Sequence, residues 1–353
     1  MEDEKDDQMT SNSDLRYGVA ACQVDQPNPV SRSGINKNTS RMLEMVDMAV
    51  SGYGPFSDVR LVAFPEFGHA APIYPTTKEL IEKLTLPIPN EHTERYESKA
   101  REFDIYIQTG SFLEEDADWP GKVFNTTCLI GPDGILLKYR KTNPWIPWEV
   151  HASPHDLNGY EDPLFPVAST PIGNIGAAIC YDWIFPETLR QLVANGAEIL
   201  IRVSAYMDPW GATPPMDWWS VVNRCRALEN TAYVIGANQG ATMEHYGPFS
   251  WPGGSMIVDF EGRIMAQADP GSGEKIVVST IDIAALRHER QRRSGHQGLL
   301  HLRSEAYELY GQTFYPPGQL TCSVDNTVDM NETRIDTVKS ERLDSQGKFL
   351  PKS

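Results

Sequence analysis

The chain has 353 residues, a formal charge of −17 and 40% hydrophobic residues. It is too long for a minimal domain and too apolar to be disordered, so it should bury a substantial core in one large domain or two smaller ones. With 48 acidic against 31 basic residues, most faces would repel a phosphate surface, which excludes nucleic acid and an anionic bilayer as general partners.

The five cysteines, Cys22, Cys128, Cys180, Cys225 and Cys322, form no CxxC pair and no metal-ligand spacing with the histidines. That pattern points to free thiols in a reducing compartment, not to disulfides or a zinc site. The acidic start Met1-Glu-Asp-Glu-Lys-Asp-Asp has neither the basic nor the apolar part of a secretory leader. No segment approaches ~18 uninterrupted apolar residues. The expectation is a cytoplasmic protein with no membrane partner.

Residues 1–14 are polar and acidic and read as a disordered, solvated tail. Residues 16–24 then form a strand, and Met42, Met45, Val46, Ala49 and Val50 recur at helical spacing, giving a helix with one face on a sheet. The apolar run 59–64 suits a strand covered on both sides. A helix over 91–103 and a strand over 105–110 follow. Residues 123–130, the turn Gly131-Pro132-Asp133-Gly134 and residues 135–139 read as a hairpin.

A similar order returns. A helix starts at Pro186 with Leu189, Leu192 and Val193 on one face, Gly196 ends it, and 197–203 is a buried strand. A helix over 216–230, a strand over 232–237 and a second hairpin around Phe260-Glu261-Gly262 complete the pattern. The hairpin glycines Gly134 and Gly262 are 128 residues apart, as are Ile105 and Tyr233. This register suggests an internal duplication, with ordinary α/β alternation as the simpler alternative. From Gly318 onward the chain is polar without apolar periodicity. A loose tail and an arm around a neighbouring subunit are both open there, with the tail favoured.

Three stretches carry candidate chemistry. In Ile175-Gly-Ala-Ala-Ile-Cys180-Tyr-Asp-Trp-Ile-Phe-Pro186-Glu an apolar strand delivers a cysteine to a turn and a helix start. Backbone N–H groups and the helix dipole there should lower the thiol pKa from ~8.5, although a buried cysteine is also ordinary core material. In Val62-Ala-Phe-Pro65-Glu66-Phe67 a carboxylate ends a buried strand, where desolvation would raise its pKa toward that of a general base; a solvated strand-end acid is the plainer reading. In Lys138-Tyr-Arg-Lys141-Thr-Asn-Pro144-Trp-Ile-Pro147-Trp148-Glu149, Lys141 is placed to meet an oxyanion and Glu149 to accept a hydrogen bond. Lys138 and Arg140 read as charges guarding a sheet edge. The sequence has no GxSxG, P-loop or dinucleotide fingerprint, and His69, His151, His155 and His245 lack metal-site spacing.

Taken together, Phe64-Pro65-Glu66, Lys138-Tyr139-Arg140-Lys141 and Ile179-Cys180-Tyr181-Asp182 before Phe185-Pro186-Glu187 resemble the three signatures of the nitrilase, or carbon–nitrogen hydrolase, superfamily. The resemblance covers residues 17–317 and is greatest to the aliphatic amidase and formamidase branch. It implies an α/β fold, a four-layer α-β-β-α sandwich of two similar halves, over residues 15–317, with 318–353 as a C-terminal extension. It also implies Glu66 as base, Lys141 as oxyanion stabiliser, Cys180 as nucleophile and Glu149 as a substrate-orienting acid. No metal or organic cofactor is needed. Tyr181-Asp182 in place of the Trp-Glu usual in true nitrilases favours amides over nitriles.

The expected activity is hydrolysis of a small or apolar carboxylic amide through a cysteine thioester. The backbone N–H of Tyr181 would share the oxyanion, and Phe67, Trp145, Trp148, Trp183 and Tyr206 would crowd the pocket. An N-carbamoyl hydrolase, a hydrazidase, a nitrilase and a catalytically idle binding protein are the alternatives. The resemblance further implies a homo-oligomer, a dimer or higher.

Overall fold

Strand β1 (Arg16–Gln23) shows how alternation builds the layers. Its Val19 and Ala21 join one core cluster with Leu61, Ala63, Leu129, Ile199 and Val234, whereas Ala20 and Cys22 join another with Met42, Met45, Val46 and Tyr96. Successive side chains of a strand point to opposite faces, so one face meets a second sheet and the other meets helices. The computed structural model describes residues 15–145, 148–207, 217–245, 251–269, 271, 273–293, 295–311 and 326–350. The acidic residues 1–14 lie outside it.

After β1 come α1 (Arg32–Asp47), β2 (Val59–Ala63), α2 (Thr77–Lys83), α3 (Glu91–Phe103), β3 (Tyr106–Gln108), β4 (Phe112–Glu114), β5 (Phe124–Gly131) and β6 (Gly134–Arg140). The second half adds β7 (Val167–Thr170), β8 (Gly173–Ile179), α4 (Pro186–Ala194), β9 (Ile199–Ser204), α5 (Trp218–Asn230), β10 (Tyr233–Asn238), β11 (Met256–Val258) and β12 (Ile264–Gln267). Next are β13 (Lys275–Asp282) and α6 (Ile283–Arg292), and α7 (Val328–Arg342) lies near the C-terminus. The expected helix at 216–230 begins at Trp218, and Met216 is outside the described residues.

A seven-stranded sheet runs β13-β1-β2-β3-β5-β4 with β6 also on β5, and a six-stranded sheet runs β12-β11-β10-β9-β8-β7. In the first sheet β1, β2 and β3 are parallel, β5 and β6 follow antiparallel, and β13 flanks β1 antiparallel. In the second, β8, β9 and β10 are parallel, β11 and β12 follow antiparallel, and β7 flanks β8 antiparallel. The two halves thus repeat one strand order, and the fold is an α/β sandwich with helices outside both sheets.

Two expectations fail here. Arg140 does not guard an edge: it is 3% exposed, its Nε and Nη2 donate to Glu114 at 2.8 and 2.7 Å, and its guanidinium lies 4.0 Å over the Phe124 ring. Buried arginine is tolerated because the bidentate pair satisfies both charges. Only Lys138, half-buried and 3.1 Å from Glu114, stays near solvent. Nor is the C-terminal segment a loose tail throughout, since residues 326–331 dock on the segments 75–77 and 149–150 of the same chain. Residues 318–325 are outside the described ones.

Candidate active site

The parallel strands deliver their C-terminal ends to one place, where open α/β sheets present reactive side chains. Glu66 follows β2, Cys180 follows β8 and Ala205 follows β9, while Lys141 extends β6 and Glu149 returns on the loop behind it. Lys141 Nζ donates to Glu66 Oε1 at 2.8 Å and to Glu149 Oε1 at 2.7 Å. Glu66, Lys141 and Glu149 are all essentially inaccessible to solvent. One ammonium between two buried carboxylates leaves the cluster with one negative charge in excess, which further hydrogen bonds must hold.

They do so unequally. Glu66 Oε1 accepts from Asn125 Nδ2 at 2.8 Å and Oε2 from the Ala205 N–H at 3.0 Å. The Gln239 amide fixes the Glu66 carbonyl at 2.8 Å. The turn carrying Glu66 is pressed against Gly110, where a Cβ would stand 2.7 Å from the Pro65 carbonyl oxygen, so only glycine fits. Glu149 Oε2 accepts from the Trp145 N–H at 2.9 Å, and the Glu149 N–H returns to the Trp145 carbonyl at 2.9 Å, closing a small ring of chain.

The pKa values diverge accordingly. Burial raises Glu66 to about 7 against the pull of Lys141, and Glu149 adds to the rise. Burial also acts to raise Glu149, but Lys141 and His151, whose Nδ1 is 3.5 Å away, outweigh it and hold the carboxyl down to about 2. Of the two carboxyls, Glu66 is therefore the one that binds a proton more readily and Glu149 the one held ionised.

Cys180 has φ +46°, a left-handed conformation that is costly for a residue with a Cβ. Such strain, about 1–3 kcal/mol, persists only where neighbours enforce it. Asp182 enforces it here. Its carboxylate accepts from the Ile179 N–H at 3.0 Å, the Tyr139 hydroxyl at 2.8 Å and the Asn143 N–H at 2.8 Å, tying the cysteine turn to the chain after β6. The thiol faces the Glu66 carboxyl. It is not acidified, contrary to the sequence expectation: burial and then Glu66 push it up to about 12, against Lys141, Ser204 and Arg202. Desolvation and a facing carboxylate outweigh the turn's N–H groups, so the thiol is held in its protonated form.

The thiol opens onto a cavity of about 330 Å³. Phe67, Trp145, Trp148, Tyr181 and Tyr206 line it, together with Trp218 and Trp251, which the sequence reading did not single out. Both are far from the motifs in sequence, and no local pattern marks them. Trp183 is not a pocket residue: it is fully buried and its indole N–H donates to the Ala178 carbonyl at 3.1 Å. The turn at Cys180 sends it into the core. Arg202 was also missed. Buried, it lies 5.4, 5.0 and 4.3 Å from the rings of Trp183, Tyr206 and Trp219 and donates to Asn223 Oδ1 at 2.8 Å.

The histidines stand apart from this chemistry except His151. His69 is buried, stacked 3.6 Å from the Phe112 ring, and burial lowers it to about 3. His155 and His245 pair with Asp156 and Asp25. Among the described residues no group of His, Cys, Asp or Glu could hold a metal ion, and no helix is long and apolar enough to cross a membrane.

The sequence model of the carbon-nitrogen hydrolase family matches residues 18–291. A formamidase of Bacillus cereus (strain Q1) is 30% identical over 254 residues, 71% of this chain and 70% of that protein. A formamidase of Bacillus anthracis is 29% identical over the same shares. Among solved structures, Saccharomyces cerevisiae Nit3, of branch 10 of the nitrilase superfamily, superposes with TM-score 0.63 at 24% identity, covering 79% of this chain and 95% of its own. A variant of the amidase from Nesterenkonia sp. AN1, with the acetamide moiety of fluoroacetamide added covalently at its active-site cysteine, superposes with TM-score 0.61 at 20% identity, covering 83% and 96%. With the motifs, the repeated sandwich and these matches in agreement, the chain belongs to the carbon–nitrogen hydrolase family and is a hydrolase of carbon–nitrogen bonds.

Proposed function

We propose that the protein hydrolyses a carboxylic amide with an apolar acyl group to acid and ammonia through a thioester on Cys180. The observation that carries this reading is the buried chain Glu149–Lys141–Glu66 at the floor of the aromatic cavity into which Cys180 opens. Glu66 takes the thiol proton as Sγ attacks the amide carbon, and Lys141 with the Tyr181 N–H binds the oxyanion. One such donor is worth roughly 3 kcal/mol. The C–N bond then breaks as Glu66 hands its proton to the nitrogen, releasing ammonia. Water attacks the thioester, gives a proton to Glu66, and the C–S bond breaks with that proton returned to sulfur. Glu149 holds the substrate N–H and keeps Lys141 aimed.

The cavity supports the substrate class. Its volume is that of a small-ligand pocket, far beyond what formamide fills. Among the described residues lining it there is no Lys, Arg or His, and Lys141 behind them is already paired with Glu66 and Glu149, which disfavours a substrate carboxylate such as that of an N-carbamoyl amino acid. An ammonia-release screen over amides, carbamoyl compounds, hydrazides and nitriles tests this. Release from apolar amides such as phenylacetamide or isobutyramide, faster per kcat/KM than from formamide, is expected. Turnover of nitriles alone, or ammonia accompanied by carbon dioxide from carbamoyl compounds, would contradict it.

The same reading takes residues 15–317 as one hydrolase domain with 318–353 as its extension. Free thiols at Cys22, Cys128, Cys180 and Cys225 support a reducing, cytoplasmic setting. A homo-oligomer is supported by the exposed stripe of Trp218, Val221, Cys225 and Leu228 on α5, whose spacing is that of a helix seam. Sedimentation of the protein carrying Val221→Lys and Leu228→Lys, expected to yield monomers, checks that assignment.

A further inference from the structure

Helix α7 lies beyond the family match, which ends at residue 291, yet it reaches the candidate site. Among its residues only Asn331 is fully buried, and it is 0% exposed. A helix without an apolar face has little hydrophobic reason to dock. What docks it is polar. Asn331 Nδ2 donates to the backbone carbonyl of Glu149 at 2.8 Å. Asn326, 1% exposed, donates to Asn331 Oδ1 at 3.2 Å and to the Val150 carbonyl at 3.5 Å. Arg334 Nη1 in turn holds Asn326 Oδ1 at 2.7 Å. Around them, the Val328 N–H bonds the Pro75 carbonyl, the Thr77 N–H bonds the Asn326 carbonyl, and the Val328 side chain packs on the cluster containing Leu80, Leu113 and Val150.

These contacts complete the restraint of Glu149. Its carboxylate is held from inside by Lys141 and the Trp145 N–H, and its N–H closes onto the Trp145 carbonyl. Its own carbonyl points the other way, to Asn331. We propose that Asn331, braced by Asn326 and Arg334, is a positioning residue for Glu149, so that the C-terminal segment is part of the catalytic apparatus. This rests on Glu149 acting in the reaction as described above. Misplacing a catalytic group by an ångström costs on the order of 100-fold in rate.

The test is a double-mutant cycle of Asn331→Ala with Glu149→Ala in the full-length protein, read as kcat and KM on the best amide. Hydrogen exchange over residues 145–150 is followed in parallel. Asn331→Ala is expected to lower kcat about 10- to 100-fold with KM shifted far less, to speed exchange in that loop, and to cost nothing more once Glu149 is alanine. Unchanged kcat, or the same loss in both backgrounds, overturns the proposal. Full activity of Glu149→Ala also overturns it, because there is then no role to position. If no amide is turned over by the wild type, the proposed function fails instead, and the exchange comparison still decides whether Asn331 holds the loop. Should Asn331→Ala not fold, Arg334→Met frees Asn326 and is expected to give a smaller loss of the same kind.

Discussion

In the first half Glu66 follows strand β2, whereas in the second half Ala205 follows the corresponding strand β9 and offers only a backbone N–H to that same carboxylate. The first strand of each parallel set differs in a similar way: β8 runs into the strained Cys180 turn, whereas β1 ends at Gln23 with its one cysteine, Cys22, packed in the core cluster of Met42, Met45 and Tyr96. The hairpins differ too. The arm β6 extends into Lys141 and the loop to Glu149, while β12 leads onward to β13. A duplicated frame therefore carries an unduplicated site, with the carboxylates and the ammonium in one half and the thiol in the other. The proposed transfer of a proton from sulfur to nitrogen therefore needs both halves.

Splitting the site this way makes its parts separable by mutation. The largest effect belongs to the second half's contribution: Cys180→Ala should lower ammonia release at least ~10⁴-fold, as expected when the nucleophile of a cooperating set is removed, with the circular dichroism spectrum unchanged. Removing the first half's cation comes next. Lys141→Met should cost roughly 10³-fold in kcat, and thermal or urea denaturation should reveal about 3–5 kcal/mol of lost stability, because two buried carboxylates lose their shared partner. Asp182→Asn, which weakens the tie between the halves, should cost on the order of 10–100-fold through misalignment of the thiol; a wild-type rate would show that the tie does not aim the cysteine.

The smallest effect is the pH profile. The base must be ionised to take the thiol proton, and burial lifts Glu66 from its ordinary 4.5 to about 7. kcat/KM should therefore rise with pH and level off above about 7, falling roughly tenfold per unit below it. A limb near 4.5 instead would mean that burial does not raise the carboxyl that takes the thiol proton.

Much of this organisation is legible in the sequence because alternation and helical spacing record which faces are buried. The runs at 16–24, 59–64 and 197–203 correspond to β1, β2 and β9, and the turns at Gly134 and Gly262 to the two hairpins. The polar cluster is legible through its motifs, but its surroundings are not. Arg140 reads as an edge charge because its partner Glu114 sits on β4, a strand of three residues too short to leave a pattern. Asn125 and Ala205 act through an amide side chain and a backbone N–H, which no residue-type argument singles out. The thiol pKa runs opposite to the dipole argument because desolvation is a property of the folded surroundings. Helix α7 is invisible to periodicity because an asparagine, not an apolar ridge, is what it buries.

The central claim is that one thiol, served by one buried carboxyl, does the covalent chemistry. It is tested most directly by titrating the enzyme with an α-halogenated apolar amide and following activity and peptide mass together. Cys22 and Cys128 are buried, and Cys225 is exposed away from the buried carboxylates, so the labelled sites can be told apart. The account predicts that activity falls in proportion to a single adduct on Cys180, whatever the labelling of Cys225 and of Cys322, which lies outside the described residues. Full labelling of Cys180 with undiminished ammonia release, or loss of activity while Cys180 stays unmodified, would contradict it.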